Sequence, residues 1–301
     1  MKFLIYVSLA FYLCLALPVF SLDKPLPNES TFHLLKSTLA IDPLPLNADV
    51  LDSQIFAGYS RQKLQFDGFD REKISAYLAL PNEVVNPPVV ILLHGLTQSK
   101  EQWWLNGGPW SFPTKHREVL LKKGFAVLAI DARNHGERKM SNDFQDPYTY
   151  LSKSYVHAYS RMVLETAMDV SRVIDYLNTR SDVDTNRIGL MGFSMGGNIA
   201  WAAAAIDNRV KSLVIMASPL NLSSNKAQWD LFSPVQFIPA IKNIPVLMLM
   251  AKADNFYTQA DADFMFQQLH VKSKNLVFYE GGHDLPDSTI EASIPWLLQT
   301  L

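Results

Sequence analysis

Arg187-Ile188-Gly189-Leu190-Met191-Gly192-Phe193-Ser194-Met195-Gly196-Gly197-Asn198-Ile199-Ala200-Trp201 decides how the rest of the chain is read. Residues 187–191 read as a short buried strand, and residues 198–205 as the start of a buried helix. Between them lies G-x-S-x-G, so the order is strand, tight turn, helix. Side chains at Gly192 and Gly196 would strike the neighbouring strand and helix, and Ser194 is pushed toward strained positive φ. The turn lifts the Ser194 hydroxyl clear of the backbone, at a helix start whose N–H groups favour developing negative charge. A Gly/Ser turn alone carries no chemistry; this strand and helix context turns it into a candidate nucleophile.

A serine nucleophile needs a base within hydrogen-bond reach, and the base needs a carboxylate to hold its tautomer. Residues 244–251 form an apolar strand, and Asp254 lies just past it. Residues 276–279 form a last short strand, followed by Glu280-Gly281-Gly282-His283. The two glycines free the backbone so that His283 can swing back over the sheet end. The order Ser194, Asp254, His283 places each residue beyond the end of a strand. Asp284 adjoins the histidine but points away from its Nδ1, and Asp230 is a weaker choice of acid.

Upstream, Val89-Val90-Ile91-Leu92-Leu93 is a continuous apolar run, as expected of a strand buried on both faces. It ends in His94-Gly95-Leu96-Thr97. The N–H groups of Leu96 and Met195 are the expected pair of donors for an oxyanion. A second buried strand, residues 125–130, ends in Asp131-Ala132-Arg133-Asn134-His135-Gly136. This cluster reads as a brace, since acid, arginine and histidine at a strand end pair with one another. His116, His157 and His270 stand alone, and no histidine pair has zinc-binding spacing. No cofactor or metal is expected.

Between these strands the pattern alternates. Residues 61–69 and 73–80 read as paired strands turning at Asp70-Arg71, 114–123 as a helix, 159–177 as a crossover helix and 210–216 as another strand. Alternation of this kind predicts an α/β fold with a mostly parallel central sheet flanked by helices. The catalytic domain is expected over residues 60–301, preceded by an arm over 22–59. Residues 218–242 lose clear periodicity and read as a short lid-like insert. Trp229 and Phe232 in that insert, with Trp103 and Trp104 after the His94 turn, are expected to line a pocket for an acyl chain.

Composition sets the class. The chain has 301 residues, 48% of them hydrophobic and 19% charged, with a formal charge of −2. Such a balance gives no electrostatic case for nucleic acid or for an anionic membrane. Lys2, the uncharged run 3–17 and Val19-Phe20-Ser21 read as a signal peptide over residues 1–21, cleaved near Ser21-Leu22. The apolar run is shorter than the about 20 residues a span needs, so no stable membrane insertion is expected after cleavage. Cys14, the only cysteine, lies inside this segment. A secreted or periplasmic product would carry no thiol nucleophile and no disulfide.

The chain resembles the α/β-hydrolase superfamily over roughly residues 60–301. Residues 183–197, His94-Gly95-Leu96-Thr97-Gln98-Ser99-Lys100-Glu101 and Asp131-Ala132-Arg133-Asn134-His135-Gly136 are similar to the dienelactone-hydrolase and prolyl-oligopeptidase-like branch. The resemblance implies a triad of Ser194, Asp254 and His283, with Leu96 and Met195 as oxyanion donors. The branch includes esterases and peptidases, so the resemblance does not fix the substrate; the expected substrate is a small-molecule ester, with a small peptidase or amidase and a non-catalytic binding protein as rival readings. Two departures matter. Dienelactone hydrolases proper carry a cysteine where this chain has Ser194, and full-length prolyl oligopeptidases carry a large N-terminal propeller.

Overall fold

The computed structural model describes residues 29–105, 112–140, 146–220 and 233–301. Among these residues nine strands form one sheet in the order β1-β2-β3-β5-β4-β6-β7-β8-β9. The first three are β1 (Asp49–Phe56), β2 (Tyr59–Asp67) and β3 (Lys73–Pro81); they pair antiparallel, and β3 joins β5 (Ala126–Ile130) antiparallel. From there β4 (Pro88–Leu93), β6 (Asp184–Phe193), β7 (Val210–Met216), β8 (Val246–Ala251) and β9 (Lys274–Tyr279) continue as a parallel set with β5.

Burial explains why these segments became strands. Every residue of β5 and β8 is buried, as are residues 89–93 of β4. Continuous Val, Ile and Leu runs suit a sheet covered on both faces, since no position faces water. Helix α4 (Val156–Asn178) and helix α5 (Met195–Ile206) pack together, as do α2 (Phe112–Lys122) and α7 (Ile290–Thr300). The apolar residues at helical spacing along α4, Met162, Ala167, Val170, Val173, Ile174 and Leu177, are all in the core. A Cβ on Gly189 of β6 would come 2.8 Å from the Leu301 side chain, so α7 reaches the sheet over that glycine.

The stretch read as an arm does more than precede the domain. It contributes α1 (Glu29–Thr38) and the edge strand β1. Nearly all of β1 is exposed, and its mixed pattern of Asp, Val, Leu and Ser lacks the alternation that marks a half-buried strand. Helix α6 (Gln259–Gln268) follows β8, held at its start by a capping box between Thr258 and Asp261.

Of the lid-like insert, residues 221–232 lie outside the described residues, and Trp229, Asp230 and Phe232 with them; so does the expected signal segment. Residues 233–242 form two short 3-10 turns in which Phe237 and Ile238 are buried. No helix among the described residues is long and apolar enough to cross a membrane.

Candidate active site

Strand β6 ends at Phe193 and α5 begins at Met195, so a single residue makes the turn. Ser194 has φ 53° and ψ −119°, a conformation that costs of order 1–3 kcal/mol outside glycine. The glycines account for its tightness. A Cβ on Gly192 would lie 2.2 Å from the Gly196 carbonyl oxygen, and one on Gly196 would lie 2.1 Å from the Leu93 oxygen. Ser194 N–H donates to the Met216 carbonyl at 2.8 Å, which ties the turn to β7.

Strain is shared along this edge of the sheet. Thr97 (φ 64°), Asn134 (φ 63°), Ser194 (φ 53°) and Ala217 (φ 45°) are all non-glycine residues in the left-handed region. They follow β4, β5, β6 and β7 in turn, at the carboxyl ends of four adjacent parallel strands. Strained backbone gathers where side chains must be held in fixed places, and here it marks one rim of the molecule.

Asp254 and His283 meet Ser194 on that rim. His283 Nδ1 lies 2.8 Å from Asp254 Oδ2, and His283 Nε2 lies 2.7 Å from Ser194 Oγ. Gly281, at φ 107°, lets the β9 exit double back. The Asp254 side chain is fully buried, His283 12% exposed and Ser194 8% exposed. The other carboxylate oxygen, Oδ1, accepts the Phe256 N–H at 2.8 Å. Asp284 is exposed and Asp254 takes the Nδ1 position.

Two residues of this region escaped sequence reading. Tyr257 is buried; its hydroxyl accepts the Ala251 N–H at 2.8 Å and hydrogen-bonds the Asp254 carboxylate. Burial, with that carboxylate beside it, pushes the phenol well above its ordinary range, so it stays a donor. Phe256 is 49% exposed, and its ring meets His283 edge-on with centroids 4.6 Å apart. Phe256-Tyr257 two residues after Asp254 is the only signal the sequence offered, and it has no period.

The turn after β4 is braced by buried polar groups. Gly95 N–H donates to Gln102 Oε1 at 3.1 Å, and Thr97 N–H donates to His135 Nε2 at 3.1 Å. His94 Nε2 in turn accepts the Ala132 N–H at 3.0 Å. Each histidine has its Nδ1 2.8 Å from a backbone carbonyl, Gly95 O for His94 and Arg133 O for His135. An imidazole accepting at Nε2 and donating at Nδ1 is neutral. Burial lowers the pKa of His94, and lowers that of His135 to about 3, where the facing His94 adds to the effect. A Cβ on Gly95 would lie 3.7 Å from Ser194 Cβ, which puts this turn against the serine. Neither Leu96 N–H nor Met195 N–H donates a hydrogen bond among the described residues.

The residues read as a brace behave as one. Asp131 accepts from Lys100 N at 2.8 Å and Lys100 Nζ at 2.8 Å, both side chains fully out of water. Arg133 reaches Asp70, Glu72 and Asp169 at 2.8–2.9 Å, and Arg138 reaches Glu72 and Asp169 at 2.8 Å. These pairs fasten the β5 exit to α4 and to the β2–β3 turn.

Trp103 and Trp104, expected to line an acyl pocket, are elsewhere. Trp103 has no exposed surface, and Trp104 packs edge-on against Tyr77 of β3 at 5.2 Å, beside Arg61 and Arg117. Gln102 is drawn in to Gly95 and Thr114 Oγ1 to the Gln102 and Leu105 carbonyls, so this short turn lies down on the sheet. Its indoles follow it into the core and toward β2 and β3.

The profile of the alpha/beta hydrolase fold matches residues 88–238, half of the chain. The chain belongs to the alpha/beta hydrolase fold family. It is 29% identical over 164 residues to the provisionally named hydrolase YtaP of Bacillus subtilis (strain 168), covering 53% of each chain. It is 27% identical over 241 residues to a provisionally named carboxymethylenebutenolidase of Escherichia coli O157:H7, covering 77% of this chain and 78% of that one. The chain thus spans about half the length of the first, and about two fifths or less of several other curated relatives. Among solved structures, acetyl xylan esterase 1 from Thermoanaerobacterium sp. JW/SL YS485 superposes with a TM-score of 0.70 at 17% identity, over 92% of this chain and 95% of that one. At that identity the likeness is one of fold.

Proposed function

We propose that this chain is a secreted serine hydrolase that cleaves carboxylic esters through an acyl-enzyme on Ser194. The observation that carries the reading is the unbroken relay from Asp254 through His283 to the Ser194 hydroxyl, with bonds of 2.8 and 2.7 Å. His283 takes the proton as Ser194 Oγ attacks the ester carbonyl, then returns it to the leaving alcohol. Asp254 orients the ring and stabilises its imidazolium. The Leu96 and Met195 N–H groups receive the carbonyl oxygen as it becomes an oxyanion. A water activated by His283 then releases the acid. No cofactor is used.

Esters are favoured over amides because an alkoxide leaves far more readily than an amide nitrogen, which must be protonated as it departs. Relatives named as hydrolases support the class. The test compares kcat/KM for p-nitrophenyl esters of graded length, an ethyl ester, p-nitroanilides of the same acyl groups and proline-containing peptides. The alkyl ester should be cleaved far faster than the anilide and the peptide. Equal turnover of peptide and alkyl ester would make the chain a peptidase. Material from a secreting host should begin near Leu22; membrane-bound protein beginning at Met1 would replace secretion by anchoring.

A further inference from the structure

Trp104 stands in a second place where chemistry collects. With Phe56, Tyr59, Arg61 and Arg117 it lines a groove of about 950 Å³ that also takes in the β1–β2 turn, the end of β3 and the last turns of α2. Strand β3 runs antiparallel to β5 with Ala79 opposite Val127, so Pro81 sits at the sheet edge where β5 begins. Ser194 is at the opposite edge, where β6 ends. A ligand in this groove does not touch the serine.

The two arginines set it apart from the rest of the molecule. Arg133 and Arg138 are buried and each meets carboxylates at 2.8–2.9 Å. Arg117 is as deeply buried, 5% exposed, yet among the described residues its one carboxylate within 4 Å is Glu118, at 3.6 Å and 43% exposed. Its better bond is from Nε to the Trp103 carbonyl at 3.1 Å; Nη1 lies 3.4 Å from the Tyr59 hydroxyl. Arg61 donates Nη2 to Gln54 Oε1 at 2.9 Å and has no carboxylate within 4 Å among the described residues. Rings hold both instead. Arg61 lies 4.5 Å from the Tyr77 centroid and 5.3 Å from that of Phe56, and Arg117 lies 5.7 Å from that of Tyr59. Each is within 6 Å of Trp104, at 5.8 and 5.6 Å.

A guanidinium removed from water without a close anion is costly, and cation–π contacts return only about 0.5–2 kcal/mol. An anion arriving between Arg61 and Arg117 would supply the missing partner, by the forked geometry arginine offers a carboxylate. Phe56 and Tyr59, stacked at 4.7 Å, add an apolar wall, while Gln54 and Asn82 add polar rim groups. Glu83, Glu118 and Lys122 also line the groove, so the anion must be small enough to stay with the arginines. We propose that this groove is a binding site, separate from the serine, for a carboxylate carried on a six-membered ring. A sugar acid and an aromatic acid share that chemistry.

Titration calorimetry of the full chain tests it, with glucuronic acid and 4-hydroxybenzoic acid as probes and glucose and 4-hydroxybenzyl alcohol as their neutral counterparts. At least one acid should saturate at or below millimolar concentration, and the one that does identifies the source. Affinity should fall about tenfold or more in Arg61→Gln and weaken with salt, while p-nitrophenyl acetate turnover is unchanged. Arg61 is half-buried and among the described residues its side chain hydrogen-bonds only Gln54, so the variant keeps the fold, which near-UV dichroism checks. No saturation by either acid up to about 20 mM, equal binding of a neutral counterpart, or wild-type affinity in Arg61→Gln would each overturn the proposal.

Discussion

On one side of Ser194, the turn after β4 is held from beneath: His94, Gly95, Lys100 and all of residues 131–135 are buried, and their polar groups bond one another. On the other side, Lys252, Ala253, Asn255, Phe256 and residues 280–282 are exposed, and Asp254 and His283 project from between them. There the loops are joined by an Ala253 N–H to Gly281 carbonyl bond and a surface pair of Lys252 with Glu280. The side that would receive an oxyanion is rigid, and the side that would move a proton is light. Donors that must not reorganise during reaction gain from a fixed frame, whereas an imidazole must travel between nucleophile and leaving group.

If that division of labour holds, damage to the serine or to the light side that serves it should abolish rate and spare the fold. Ser194→Ala should lower kcat by at least about 10⁴-fold with an unchanged melting temperature. Asp254→Asn should lower kcat by about 10³-fold or more with KM little changed, because an amide holds the imidazole in the wrong tautomer. Should Asp284→Asn be the crippled variant, the acid is misassigned.

Damage to the braced side should show the reverse. Lys100→Met leaves Asp131 charged and out of water, which costs about 3–5 kcal/mol, read as a lower denaturation midpoint in urea. A variant as stable as wild type would remove the brace from the account.

The parts of the fold that were legible are those in which burial and sequence agree. Strands β4, β5 and β8 declared themselves because a doubly covered strand can be apolar throughout, and the turn at Ser194 because backbone lies within 2.2 Å of where two glycine Cβ atoms would be. Ser194, Asp254 and His283 could be ordered along the chain since each follows a strand end. What stayed hidden was carried by pairing rather than pattern. Strand β1 is nearly all exposed, and His94 and His135 look like surface-capable residues until both rings are seen accepting backbone N–H groups. The indoles misled because residue type says apolar and only the turn at residues 100–104 says which way. Trp229 and Phe232 lie outside the described residues.

The buried histidines also give the braced side a pH signature. His135 titrates near 3 in the folded chain and near its ordinary 6.5 when unfolded, so below pH 6.5 the unfolded state binds the extra proton. Stability from this group is therefore complete above about pH 6.5 and is lost as pH falls toward 3, by at most about 1.4 kcal/mol per unit. His94 acts in the same direction. Denaturation midpoints between pH 7 and 5 should fall in wild type and fall less in His135→Asn; equal slopes would contradict a neutral buried pair.

The smallest effect sits beneath the light side. Tyr257→Phe removes a hydroxyl that serves both the Ala251 N–H and Asp254. The orphaned N–H should cost about 1–3 kcal/mol of stability, and a looser Asp254 should lower kcat by up to about tenfold. A change in stability with kcat untouched would make Tyr257 a packing residue alone.

The relay itself is tested most directly by a fluorophosphonate probe and mass mapping of the labelled chain. A hydroxyl reacts at neutral pH only when a base takes its proton, so the account predicts one adduct, on Ser194, formed rapidly in wild type and lost in His283→Ala. An unlabelled wild-type chain, or an adduct on any other residue, would contradict it.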